Sequence, residues 1–158
     1  MTVLLPVLAA ACMLVAAITD IRSRRIPNLI CLAIAILACA RMIVEITGPG
    51  DLSFAVTGMV LDLAVGCGVL IVTAVLFGLG VIGGGDAKLF TAGTLFVGAA
   101  RSVDFFFAVA VFGLILALLF MVSKMTVRME GEVVAAFEKL PYGVAIAAGC
   151  VYVLAAGV

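Results

Sequence analysis

Two carboxylates stand where apolar sequence meets polar sequence. Asp20 lies in Thr19-Asp20-Ile21-Arg22-Ser23-Arg24-Arg25-Ile26-Pro27-Asn28, and Asp86 follows three glycines in Gly83-Gly84-Gly85-Asp86. Two carboxylates held close together do not both ionise readily: one keeps a proton while the other acts as a base. A water molecule between them could then attack a peptide carbonyl. The rest of the sequence leaves few rival chemistries. Histidine is absent, and the cysteines at 12, 31, 39, 67 and 150 form no C-x-x-C pair. The serine triad, the histidine-assisted cysteine nucleophile and the ordinary zinc sites therefore lack parts. No metal site and no cofactor is expected, and the five cysteines read as small buried hydrophobes.

Each acid also has a plainer reading. Asp86 could cap a helix before Ala87-Lys88-Leu89, and Asp20 could sit at an interface paired with Arg22 or Arg24. The glycine run favours the chemical reading, because consecutive glycines allow close backbone approach and positive φ angles, which a simple cap does not need. If Asp86 precedes one helix and Asp20 closes another, the helix dipoles favour charge on Asp86 and a proton on Asp20. Asp62, within an apolar run, is expected to make a buried hydrogen bond to a neighbouring helix or to join a polar interior.

These residues must be positioned by membrane segments. The 158 residues are 67% hydrophobic and 11% charged, with zero net charge and a mean hydropathy of +1.47, far from the average soluble domain. At ~20 residues per crossing, the length accommodates about six transmembrane helices in a single all-α domain over residues 1–158, with no room for a separate soluble unit. No basic tract is long enough to follow a phosphate backbone, so nucleic acid is excluded as a partner. Nothing charged precedes Asp20, so the first apolar segment is expected to be retained as a helix and not removed as a secretory signal.

Apolar runs at residues 3 to 19, 29 to 46, 54 to 80, 88 to 100, 104 to 122 and from Pro141 onward give the crossings. Pro27 suits the start of the second, and Thr47-Gly48-Pro49-Gly50-Asp51 marks a turn at the far face. If the first crossing ends in the cytoplasm, that side holds Arg22, Arg24, Arg25, Lys88, Lys124, Arg128 and Lys139, and the other side holds Arg41 and Arg101. This bias places both termini outside and both Asp20 and Asp86 at the cytoplasmic edge of the cell membrane. The polar stretch from 123 to 140, with Glu130, Glu132 and Glu138, is either an amphipathic helix along the inner surface or a solvated loop.

Three motifs in order, Asp20 through Asn28, Gly83-Gly84-Gly85-Asp86-Ala87-Lys88-Leu89, and Leu140-Pro141-Tyr142-Gly143, resemble the type IV prepilin peptidases, polytopic aspartic peptidases with a G-x-G-D motif. The resemblance implies that Asp20 and Asp86 are the catalytic aspartates. It also implies a pilin or pseudopilin precursor as substrate, cut on the cytoplasmic side after a basic leader. The larger members add a cytoplasmic segment with paired C-x-x-C motifs and also methylate the new N-terminus. This chain has no such segment and looks more like the short peptidases of Flp or Tad-type pili, so methylation is not expected.

The function expected is therefore leader-peptide removal by Asp20 and Asp86 within the lipid bilayer. Gly83, Gly84 and Gly85 would let the loop reach the scissile backbone. Lys88, Arg22, Pro27 and Asn28, with Arg24 and Arg25, would shape the mouth, and Glu130, Glu132 or Glu138 would receive the basic leader. The alternatives are a related G-x-G-D peptidase for flagellin-type precursors, a small transporter relaying protons through Asp20, Asp62 and Asp86, and a non-catalytic assembly factor. The sequence carries no signal for oligomeric state.

Overall fold

The computed structural model describes residues 3–126 and 142–157. Among these residues every regular element is helical: α1 (Leu4–Ser23), α2 (Asn28–Thr47), α3 (Leu52–Gly78), α4 (Gly84–Val97), a 3-10 turn (Ala99–Arg101), α5 (Ser102–Thr126) and α6 (Tyr142–Ala156). Helices α1, α2 and α3, and α5 with its preceding turn, are long and apolar enough to cross a membrane, and α6 is a shorter apolar helix. Large apolar side chains such as Leu29, Phe54, Ile71 and Val103 project outward. A bundle whose backbone groups are satisfied within its helices can present such a surface to lipid. The chain is an all-helical membrane bundle.

Local sequence sets the helix ends. Asp51 caps α3 by accepting the amide of Ser53 at 2.9 Å and its hydroxyl at 2.8 Å. Arg24 ends α1 in the left-handed region (φ 51°), and Pro27, with extended ψ, precedes the first residue of α2. Three boundaries differ from the sequence expectation. The first helix does not stop before Asp20 but continues to Ser23, because polar residues at an interface still complete a helical turn. The glycine run is not a loop: Gly83 is the N-cap, and Gly84, Gly85 and Asp86 form the first turn of α4. Nor does the fifth helix end at 122, since it extends to Thr126.

The helices alternate in direction. Lys88, in the first turns of α4, reaches Asn28 at the start of α2, its Nζ donating to Oδ1 at 3.0 Å. Gly143, at the start of α6, bonds to Asp20 at the end of α1. One end of the bundle thus gathers the end of α1 and the starts of α2, α4 and α6. At the other end, Arg101 donates to the carbonyl of Gly157 at 3.4 Å, so the two described ends of the chain share that side.

Helix α4 is the interior element. It packs against α2, α3, α5 and α6, and Leu89, Thr91, Ala92, Gly93, Thr94, Phe96 and Val97 are buried along it. Around it Met13, Ala16, Ile34, Phe105, Ile146 and Cys150 complete the core. Small residues permit this approach: Leu95 lies in the space that a Cβ on Gly66 of α3 would occupy, 2.2 Å from its Cδ2. Cys31 and Cys150 are buried as expected, whereas Cys39 and Cys67 face outward. They lie on lipid-facing helix surfaces, where an apolar thiol needs no cover.

Candidate active site

Asp20 belongs to the last turn of α1 and is 6% exposed. Its Oδ2 accepts the backbone N–H of Gly143 at 2.9 Å. A Cβ at 143 would lie 2.7 Å from that oxygen and 3.0 Å from Cδ1 of Ile26, so α6 can approach only through a glycine. Burial opposes a charge on Asp20. The Gly143 amide and the nearby positive charge of Arg24 favour one.

Asp86 lies in the first turn of α4, outside the four spanning helices. It is half-buried, and its Oδ2 folds back to within 2.9 Å of where a Cβ on Gly83 would be. Burial, and then the negative charge of Asp20, push its carboxyl up to about 6. A carboxyl raised by a negative neighbour is what two acids near one another produce. Between them runs the linker after α1. Ile26 touches the Cβ position of Gly85 at 3.3 Å on one side and that of Gly143 on the other, so its side chain keys α4 and α6 together.

The structure thus brings Asp20, Asp86, Gly83, Gly84, Gly85, Lys88, Pro27 and Asn28 to one end of the bundle, with Arg22 on the outward face of the last turn of α1. The glycines act differently from the expectation. None of Gly83, Gly84 and Gly85 has a positive φ; that conformation falls on Gly80 (φ 74°), which follows α3. The run is needed for space, since a Cβ on Gly84 would meet Phe77 at 3.1 Å and one on Gly85 would meet Ile26. Arg22, Arg24, Arg25 and Lys88 are exposed and form no ion pair among the described residues. Glu130, Glu132 and Glu138 lie outside the described residues.

The division of charge expected from the two helix dipoles meets a further contribution. Dipoles of the two parent helices favour charge on Asp86, but a third helix enters the site. The N-terminus of α6 directs the Gly143 amide at Asp20, while Asp86 receives no hydrogen bond among the described residues and feels the charge of Asp20. The amide contact is made to Asp20, and it is the Asp86 carboxyl that is pushed up, by burial and then by Asp20. Gly143 and Ile26 were not singled out as site residues from the sequence, although both fall inside the motifs quoted above.

Asp62 makes the buried hydrogen bond expected of it. It accepts from Nη2 of Arg41 and from the amide of Ala99 at 2.6 Å. Arg41 reaches Asp62 from α2 and also donates to Glu45 at 2.6 Å.

A buried and a half-buried acid from separate helices, with glycines packed around them at one end of an apolar bundle, have the parts of a water-activating pair. No curated protein and no solved structure matches the chain. The profile of the type IV leader peptidase family matches residues 7–118, more than two thirds of its length, and takes in both acids, the glycine run and the Ile26 linker. On that match the chain belongs to the type IV leader peptidase family.

Proposed function

We propose that the protein is an aspartic endopeptidase that removes the basic leader from Flp-type pilin or pseudopilin precursors at the cytoplasmic edge of the cell membrane, with Asp20 and Asp86 as its catalytic pair. The observation that carries this reading is the shared site. Two acids 66 positions apart meet at one end of the bundle, where burial and then the charge of Asp20 push the Asp86 carboxyl up to about 6.

In the reaction, ionised Asp20 takes a proton from a bound water as that water attacks the scissile carbonyl carbon. Asp86 donates its proton to the carbonyl oxygen, giving a neutral tetrahedral diol. Asp86, now ionised, takes a diol proton back as the carbonyl re-forms. Asp20 passes its proton to the departing amine as the C–N bond breaks. The products are the leader's carboxyl and the mature N-terminus, and the pair returns to its starting charge. The Gly143 amide fixes Asp20 in place throughout.

The apolar surface keeps the precursor's own helix alongside the bundle in lipid, so the scissile bond is presented at the edge where both acids lie. The basic rim of Arg22, Arg24, Arg25 and Lys88 repels a basic leader. Glu130, Glu132 and Glu138 are the acidic residues proposed to receive it. Asp62 is engaged by Arg41 and Ala99 near the other end, which weighs against a proton relay through all three aspartates.

The test is co-expression with candidate pilin precursors, following loss of the leader by gel shift. Wild type should process a precursor, and Asp20→Asn or Asp86→Asn should leave it full length. Processing that survives either substitution would refute the assignment.

A further inference from the structure

Helix α4 is the shortest α-helix among the described residues. Its 14 residues reach about 21 Å against a hydrocarbon core of about 30 Å. The neighbouring α2 starts at the same end, where Lys88 meets Asn28, and has 20 residues. At its far end α4 gives way to the Gly98 turn and the short 3-10 turn Ala99–Arg101. A helix end leaves carbonyls and following amides that need partners.

This end is closed by charged side chains from other helices. Arg41 of α2 donates to the carbonyl of Leu95 at 3.3 Å, and Asp62 of α3 accepts the amide of Ala99 at 2.6 Å. Arg41 and Asp62 also bond to each other, and Ser102 Oγ donates to the carbonyl of Gly98 at 2.7 Å. Gly98 turns through φ 85° with its Cβ position only 3.1 Å from Oδ1 of Asp62 and 3.2 Å from Nη2 of Arg41, so the pair is seated directly on the turn. Asp62 is 7% exposed. Burying the Asp62 charge is costly unless it is paired and hydrogen-bonded, as it is here.

We infer that Arg41 and Asp62 are positioning residues for the active site: by capping the far end of α4 they set its height along the bundle and so the level of Asp86 against Asp20. The link is mechanical. Asp86 begins α4 and Leu95 lies nine residues on, so a slip at the capped end moves the carboxyl at the other end. An aspartate displaced by an ångström or so loses its alignment with the shared water, while the surface that binds substrate stays in place.

This inference rests on the peptidase reading, and one experiment separates the two. Purified enzyme in detergent is given a synthetic precursor. kcat and KM are measured for wild type, Asp62→Leu, and the neutral double variant Arg41→Gln/Asp62→Asn, which keeps side-chain donors and acceptors for the far end of α4. Asp62→Leu should lower kcat tenfold or more with KM within twofold of wild type, and the double variant should recover most of that loss. If Asp62→Leu is not recovered folded, Arg41→Lys is used, because one ammonium cannot reproduce the guanidinium contacts to Glu45, Asp62 and Leu95; it should lower kcat severalfold at unchanged KM. Folded Asp62→Leu or Arg41→Lys protein with wild-type kcat, or a loss confined to KM, would overturn the inference while leaving the peptidase reading intact. Wild-type enzyme that fails to cleave any precursor would overturn the reading itself.

Discussion

The backbone amide of Gly143 donates to Oδ2 of Asp20 at 2.9 Å, across 123 positions of sequence. The contact joins the end of α1 to the start of α6 at a point where no side chain fits. It therefore gives Asp20 both a fixed orientation and a partner for its charge.

Gly143→Ala should abolish this bond without unfolding the protein. The added methyl would stand 2.7 Å from the Asp20 oxygen and must displace the carboxylate or the start of α6. Alanine is otherwise the better helix former by about 1 kcal/mol, so thermal stability in detergent should change little while cleavage falls at least tenfold. Full activity in folded Gly143→Ala protein would show that the contact does not orient the acid.

The proton on Asp86 gives a pH dependence. Its carboxyl is pushed up to about 6 by burial first and by Asp20 second. Asp20 on α1 and Cys31 on α2 lie near it, and Lys88 is on its own helix. A pair that works with one proton is competent between its two titrations and loses that proton above the higher one, so kcat/KM should decline as pH rises through about 6. The limb in kcat should lie higher, because bound substrate removes more water from the acid. Infrared titration of the protonated carboxyl band should find the same midpoint. In Asp20→Asn the midpoint should fall, since a negative neighbour has gone, yet stay above the ordinary carboxylate range because burial persists. An unchanged midpoint in that variant would mean that the two acids do not sense each other.

Packing of the interior helix can be tested away from the site. A methyl at Gly66 would come within 2.2 Å of Cδ2 and 2.7 Å of Cγ of Leu95. Gly66→Ala should cost about 1–3 kcal/mol through overpacking, and Leu95→Ala should cost about 2–5 kcal/mol through its cavity. The two changes should couple, because the smaller side chain makes room for the new methyl. Strict additivity in thermal or denaturant unfolding would place α3 and α4 farther apart than the structure has them.

Much of this arrangement is legible in the sequence, and the rest is hidden for definite reasons. The lopsided distribution of Arg and Lys, with the number of apolar runs, is enough to expect Asp20 and Asp86 at one end. The extent of α1 is less visible, because Asp20 and Arg22 look like a boundary although the helix closes only when Arg24 turns left-handed. The glycine run suggests a loop, yet its glycines serve close contact with Phe77 and Ile26, and that need appears only once three helices are assembled. Arg41 looks like a loop charge until Asp62 is found beside it. The role of Gly143 depends on a contact that no local pattern encodes, and its only trace is its place in a short Pro-Tyr-Gly motif.

The central claim is that Asp20 and Asp86 act as one unit. Single-turnover cleavage of a purified precursor by wild type, Asp20→Asn, Asp86→Asn and the double variant, at matched amounts of folded enzyme, tests it most directly. Residues that act as a unit are strongly non-additive, so each single change should cost about 10⁴-fold or more and the double change no more than either. A single variant that keeps a tenth of the wild-type rate, or losses that multiply in the double variant, would contradict a shared catalytic pair.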